Sequence, residues 1–195
     1  ERWTDTVEAA ESMTGPSITR YRDLAKESGV WLSLGGFQEG VPRDQNPGAS
    51  VHRSRHDQHS MSQPPPPSSA HCSMKVFNTH VIISRTGEVK AAYRKMHLFD
   101  VSIPGGAVFM ESRYTEAGRE MVVCDDTPAG TLGISTCYDL RFPEMYTCLA
   151  GKGSQVMLVP SAFTVPTGKA HWEVLLRARA IETQAYVIAS AQVTQ

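Results

Sequence analysis

Thr131-Leu-Gly-Ile-Ser-Thr-Cys-Tyr-Asp-Leu-Arg-Phe-Pro-Glu144 decides the reading of this chain. An apolar run, Thr131 to Thr136, has the length and β-branched content of a strand and ends at a single thiol, Cys137. Pro143 then opens a helical pattern to Leu149, and Gln155 to Val159 is again strand-like, so the unit is β-α-β. A thiol on a tight turn between strand and helix is held out of the sheet. Backbone N–H groups at the start of a helical turn favour both a thiolate and a developing oxyanion, so Cys137 is a candidate nucleophile. The opposing reading is a buried structural cysteine, the common fate of a lone Cys. The polar neighbours Thr136, Tyr138, Asp139 and Arg141 weigh against a core position.

Outward from this unit the chain keeps alternating. Pro16-Ser17-Ile18 starts a helix with Ile18, Tyr21, Leu24 and Ala25 on one stripe, and Gly29 stands where a left-handed cap belongs. Val30 to Leu34 reads as a short buried strand. Val76 to Ser84 and Val89 to Tyr93 are strands joined by Arg85-Thr86-Gly87-Glu88, a hairpin. Trp172, Leu175, Leu176, Arg179 and Ala180 form an amphipathic helix, and Tyr186 to Ala191 reads as a further buried strand. Strands interleaved with helices predict an α/β fold, a sheet with side layers.

Residues 41–74 lose this periodicity in Gly, Pro, Ser, His and Gln, including Pro64 to Pro67, and are expected to be a disordered low-complexity loop inserted in one domain spanning residues 1–195. His52, His56 and His59 at i, i+4 and i+7, with His71 and Cys72, could ligate a metal on a helix, but the Arg, Gln and Pro around them favour a flexible polar tract. The prolines suit a stiff spacer or a polyproline II ligand.

Of 195 residues, 41% are hydrophobic and 20% charged, enough for one real core. A net charge of -1 excludes a sequence-independent grip on nucleic acid or on an anionic membrane, so a small-molecule partner is expected. Cys72, Cys124, Cys137 and Cys148 make no Cys-x-x-Cys pair, which fits free thiols in a reducing, cytoplasmic setting, with a mitochondrial one also compatible. No apolar run reaches membrane-span length and no charged-then-apolar leader opens the chain. It begins at Glu1 rather than Met, as a fragment or processed form would.

For the thiol's partners the residues leave alternatives. His97 and His171 could each serve a Cys–His pair. Lys95 by itself is a solvated strand-end lysine. Arg141, Arg177 and Arg179 could hold a substrate carboxylate, or pair with Glu144, Glu173 and Glu182.

Taken together, Tyr93-Arg-Lys-Met-His-Leu-Phe-Asp100, Glu111, Cys137-Tyr-Asp-Leu-Arg-Phe-Pro-Glu144 and Pro160-Ser-Ala-Phe163 resemble the nitrilase superfamily of carbon-nitrogen hydrolases. Gly168 to Gln184 is most similar to the deaminated glutathione amidase branch. The resemblance implies a partial αββα sandwich. It makes Cys137 the nucleophile, Lys95 the oxyanion-stabilising cation and Glu111 the carboxylate that orients the lysine, with Tyr138, Arg141 and His171 binding substrate. No metal or organic cofactor is implied. The implied reaction is hydrolysis of a small-molecule amide through a Cys thioester, with ammonia or an amine released, by a protein that is a homo-oligomer at full length, pairing through Pro143 to Leu149.

Departures from the family pattern accompany these likenesses. The family's general-base Glu falls upstream of Glu1 by motif, the strands that follow Tyr186 to Ala191 in the family are not matched, and residues 41–74 exceed the loop expected there. Two rivals therefore stand beside the amidase: an ω-amidase for short 2-oxo acid amides, and a truncated non-catalytic member that only binds partners.

Overall fold

A computed structural model describes residues 10–40, 75–106 and 108–192. The histidine tract, Cys72 and the four prolines lie outside the described residues.

The first helix, α1 (Pro16–Ser28), starts on a proline whose missing N–H costs nothing at that position and stops at Gly29, whose φ of 64° is the left-handed cap expected of it. Its N-terminal end is tied down by Glu11, which accepts hydrogen bonds from the Ser17 backbone N–H (2.8 Å) and hydroxyl (2.6 Å). Strand β1 (Leu32–Gly40) follows, then β2 (Val76–Ile83) and β3 (Val89–Arg94). They form an antiparallel sheet in the order β1-β2-β3, with the short β6 (Thr115–Glu116) parallel to β2. The β2–β3 hairpin turns at the predicted residues: Gly87 takes φ 77°, and Ser84 Oγ accepts the Thr86 and Glu88 N–H groups.

β2 is buried almost throughout because it is covered on both faces, and its polar Thr79 and His80 are held by hydrogen bonds. Val81 and Ile83 pack with Ile18 and Ala25 of α1, whereas Ile82 joins Tyr93 against the second sheet. That second sheet is β10-β9-β8-β7, built from β7 (Val123–Thr127), β8 (Gly130–Ile134), β9 (Val156–Leu158) and β10 (Tyr186–Ile188). β8, β9 and β10 are parallel, joined by α2 (Pro143–Gly151) and α3 (Val165–Thr183). Tyr146 and Leu149 of α2 are fully buried against Ile134, Met157 and Val159. The layers run α1, sheet, sheet, α2/α3: part of an αββα sandwich, as the resemblance implied.

The sequence reading gave no element to β6 or β7, and three further features differ from it. β1 runs on to Gly40, because its edge pairs with β2 as far as Gly40↔Val76 and Glu39 finds buried partners there. A β4–β5 hairpin (Asp100–Ser102, Val108–Met110) occupies a stretch given no element, since its three-residue strands are too short to show alternation. β10, expected to be buried, is the outer strand of its sheet, with Tyr186 79% exposed. Its apolar composition is that of a central strand, but no other described strand lies beyond it. Among the described residues no helix is long and apolar enough to cross a membrane.

Candidate active site

The two sheets meet around a cavity of about 690 Å³, within the usual range for a small-molecule site. The chain approaches closely at its floor: a Cβ on Gly35 would run into the ring of Pro160, so glycine is required there. Lys95, Glu111, Cys137, Tyr138 and Arg141 all line it. His171 does not, and stands behind Arg141.

Cys137 leaves β8 by a single left-handed step, φ 51°, and heads a 3-10 turn, Cys137–Arg141. For a residue with a Cβ that conformation costs about 1 kcal/mol and persists only where the surroundings enforce it. Here the Cys137 N–H donates to Pro160 O (2.9 Å), and Thr136 N donates to Asp139 Oδ2 (2.8 Å). The step turns the thiol out of the sheet into the cavity, with Ala162 O at 3.7 Å from Sγ. The strand-to-helix reading of this segment therefore holds, with a 3-10 turn inserted before α2.

Lys95 follows β3 and is 2% exposed. Its Nζ donates to Glu111 Oε2 at 2.5 Å. Glu111, in a 3-10 turn after β5, also accepts from Phe99 N (2.7 Å) and Asn78 Nδ2 (3.3 Å). A solvated strand-end lysine is excluded. Ammonium and carboxylate are both out of water, a placement that stands only when each charge is answered.

The arginines separate cleanly. Arg177 pairs with Glu173 (3.2 Å) on the exposed side of α3, and Arg179 pairs with Glu182 (2.6 Å) while its Nε donates to Leu140 O. Arg141 has no carboxylate partner among the described residues. It lies between the Tyr138 and Phe163 rings, 5.9 and 5.8 Å from their centroids, and its Nη2 meets His171 Nδ1 at 3.3 Å. A guanidinium held on aromatic faces at a cavity wall is suited to an anionic ligand group.

His97 turns away from the thiol. Its Nδ1 is 2.8 Å from Asp139 Oδ1, and its ring stacks on Phe142 at 3.7 Å, so the Cys–His alternative finds no support in the geometry. Sequence reasoning also passed over His80, fully buried with Nδ1 at 2.9 Å from Ser135 O and Nε2 at 2.8 Å from Ser33 Oγ. The carbonyl can only accept, so Nδ1 carries the proton and Nε2 accepts from the serine. Burial, opposed by that carbonyl and by the Asp139 charge, brings its pKa down to about 4, so it is neutral at pH 7. Periodicity marked position 80 simply as strand interior.

Glu111 is the only carboxylate lining the cavity among the described residues, and it is already taken by Lys95. No group of described residues could hold a metal ion.

The carbon-nitrogen hydrolase family model matches residues 1–195. The chain is 48% identical over 179 residues to a deaminated glutathione amidase of Dictyostelium discoideum, covering 91% of this chain and 52% of the relative. To the human deaminated glutathione amidase it is 43% identical, covering 96% and 50%. It thus spans about half the length of the curated relatives it matches. The crystal structure of the Caenorhabditis elegans NitFhit protein superposes with a TM-score of 0.78 at 39% identity, over 100% of this chain and 40% of that one. Saccharomyces cerevisiae Nit3, a member of the nitrilase superfamily, gives 0.72 at 26% identity, over 100% and 57%. With sandwich, cavity and whole-chain match in agreement, this chain belongs to the carbon-nitrogen hydrolase family.

Proposed function

We propose that this chain carries the nucleophile, the oxyanion cation and the substrate anchor of an amidase for a deaminated glutathione-like amide. The observation that carries the reading is the convergence on one cavity of a left-handed Cys137, a buried Lys95–Glu111 pair and an Arg141 without a carboxylate partner. In this reading the Cys137 thiolate attacks the amide carbonyl, and Lys95 with the Tyr138 N–H stabilises the tetrahedral oxyanion. The C–N bond breaks, ammonia leaves with a proton supplied by the acid–base group, and water cleaves the thioester to release the acid and regenerate the thiol. Glu111 keeps Lys95 aimed. Arg141, backed by His171, takes a substrate carboxylate.

The acid–base carboxylate lies outside the described residues in this scheme, because Glu111 is committed to the lysine. General acid–base catalysis contributes about 10²- to 10⁴-fold in rate, so its contribution is measurable. The test follows ammonia release from deaminated glutathione by the full-length protein and its Cys137→Ala variant. Release that is absent, or that survives Cys137→Ala, would sink the proposal. A parallel assay with 2-oxoglutaramate distinguishes the ω-amidase alternative: preference for the short amide would reassign the substrate and leave the chemistry intact.

A further inference from the structure

We propose that Asp139 is the positioning residue that holds the Lys95 segment and the Cys137 turn in register across the two sheets; the inference rests on the amidase reading above. Asp139 is completely buried and does not line the cavity, so it cannot touch substrate or serve as the missing base. Its carboxylate nevertheless meets four donors, which is what two ionised oxygens can accommodate. Oδ2 accepts the Tyr93 hydroxyl (2.7 Å) and Thr136 N (2.8 Å). Oδ1 accepts His97 N (3.1 Å) and His97 Nδ1 (2.8 Å).

The origin of these donors carries the argument. Tyr93 and His97 each stand two residues from Lys95, one on either side, and Thr136 immediately precedes Cys137. One carboxylate therefore bridges the cation's segment, at the end of β3 in the first sheet, to the nucleophile's turn at the end of β8 in the second. The bridge is stiffened at both ends. Met96 N donates to the Tyr93 hydroxyl (3.0 Å), so that oxygen is used both ways, and the His97 ring is held flat against Phe142 with 9° between planes. Burial and the Asp139 charge push the Tyr93 hydroxyl pKa well above that of a free phenol, which keeps it a donor.

Glu111 fixes the ammonium end of Lys95 but does not reach the Cys137 turn. The Asp139 carboxylate runs directly from the cation's backbone, at His97 N, to the nucleophile's, at Thr136 N. A misplacement of about 1 Å between reacting groups costs about 100-fold in rate. Asparagine at 139 offers one accepting oxygen and turns an NH₂ group toward two donors, so it releases one side of the bridge without changing the residue's size.

The experiment uses the full-length protein as wild type, Asp139→Asn, Tyr93→Phe and the double variant. Deaminated glutathione is the substrate, rates are expressed per folded molecule counted by near-UV circular dichroism, and the rate of Cys137 carbamidomethylation by iodoacetamide is measured alongside. We expect Asp139→Asn to lower kcat about 100-fold with KM within about threefold. Tyr93→Phe should lower kcat about five- to tenfold, and the double variant should be no worse than Asp139→Asn, because both changes remove the same bond. Alkylation of Cys137 should slow at least about fivefold in Asp139→Asn, because the turn that presents the thiol is no longer pinned.

A kcat within threefold of wild type in folded Asp139→Asn overturns the inference. If Asp139→Asn does not fold, Tyr93→Phe decides, and an unchanged kcat there overturns it. If the wild type releases no Cys137-dependent ammonia, the amidase reading fails by itself, and the alkylation rates still judge the bridge: slowed alkylation supports it, and equal rates in wild type and variant overturn it.

Discussion

Arg94 and Lys95 are neighbours at the end of β3, and each is paired with a glutamate, but the two pairs do different work. Successive side chains of a strand point to opposite faces. Arg94 reaches Glu39 on the face that Thr79 shares, through two bonds of 2.8 and 2.6 Å, with its guanidinium over the Phe77 ring. The Arg94 side chain is 46% exposed, so water answers part of its charge. Lys95 turns the other way, and with Glu111 it sits 3% and 6% exposed at the cavity wall. The first pair ties β1 to β3 across β2. The second holds a charge out of water where a ligand can use it, which is how a low-dielectric site makes an ammonium effective.

Breaking the buried pair should have the larger effect. Lys95→Met is expected to lower kcat by about 10²- to 10³-fold. It should also cost roughly 3–5 kcal/mol of stability, because Glu111 is left as an unanswered buried charge. Glu111→Gln should likewise reduce kcat and cost stability, since the Lys95 ammonium then stays buried without its counter-charge. Denaturant melts beside steady-state rates check both, and a Lys95→Met protein of full activity would remove the distinction between the pairs.

His80 sharpens the comparison as a buried group that carries no charge. Its folded-state pKa of about 4 lies below the ordinary 6.5. Between those values the unfolded chain binds the proton and the folded one does not, so stability falls as pH drops from 6.5 to 4, by about 3 kcal/mol at most. His80→Gln should flatten that slope in urea melts at stepped pH. An unchanged slope would mean that the ring titrates as freely folded as unfolded.

Smallest is the effect at the Arg94–Glu39 pair, whose arginine is half open to water. Glu39→Gln should cost about 2 kcal/mol and leave kcat/KM within about twofold. Burial raises the Glu39 pKa, but the bonds from Arg94 and Thr79 outweigh it and hold the value below 4.5. Its stabilisation is therefore complete above pH 4.5 and disappears as pH falls through the folded value, where Glu39→Gln and wild type should melt alike. A large activity loss in Glu39→Gln at neutral pH would show that the first sheet transmits strain to the cavity.

Much of the frame was legible because its signals are local. The Gly29 cap, the Gly87 hairpin and strand β8, which ends at Ile134, two residues short of the expected Thr136, each depend on a few adjacent residues whose backbone preferences agree. β1 beyond Leu34 and the β4–β5 hairpin were not legible, since their pairing comes from a distant strand or spans only three residues. The site divides along the same line. Cys137 stood out by its turn, whereas Lys95 and Glu111 became site residues through family resemblance, and the spacing of their charges carries no such message.

The sequence by itself determined the α/β alternation, the turn that presents Cys137 and the family to which the chain belongs, because periodicity, capping chemistry and motif are written in adjacent residues. Only the tertiary structure decided that Arg141 keeps no carboxylate partner among the described residues, that His97 faces Asp139 and not the thiol, and that one carboxylate, Asp139, receives bonds from segments of both sheets. Those facts depend on donors and acceptors from different sheets reaching hydrogen-bond distance. Distance across a sandwich is fixed by packing and leaves no mark on the order of residues.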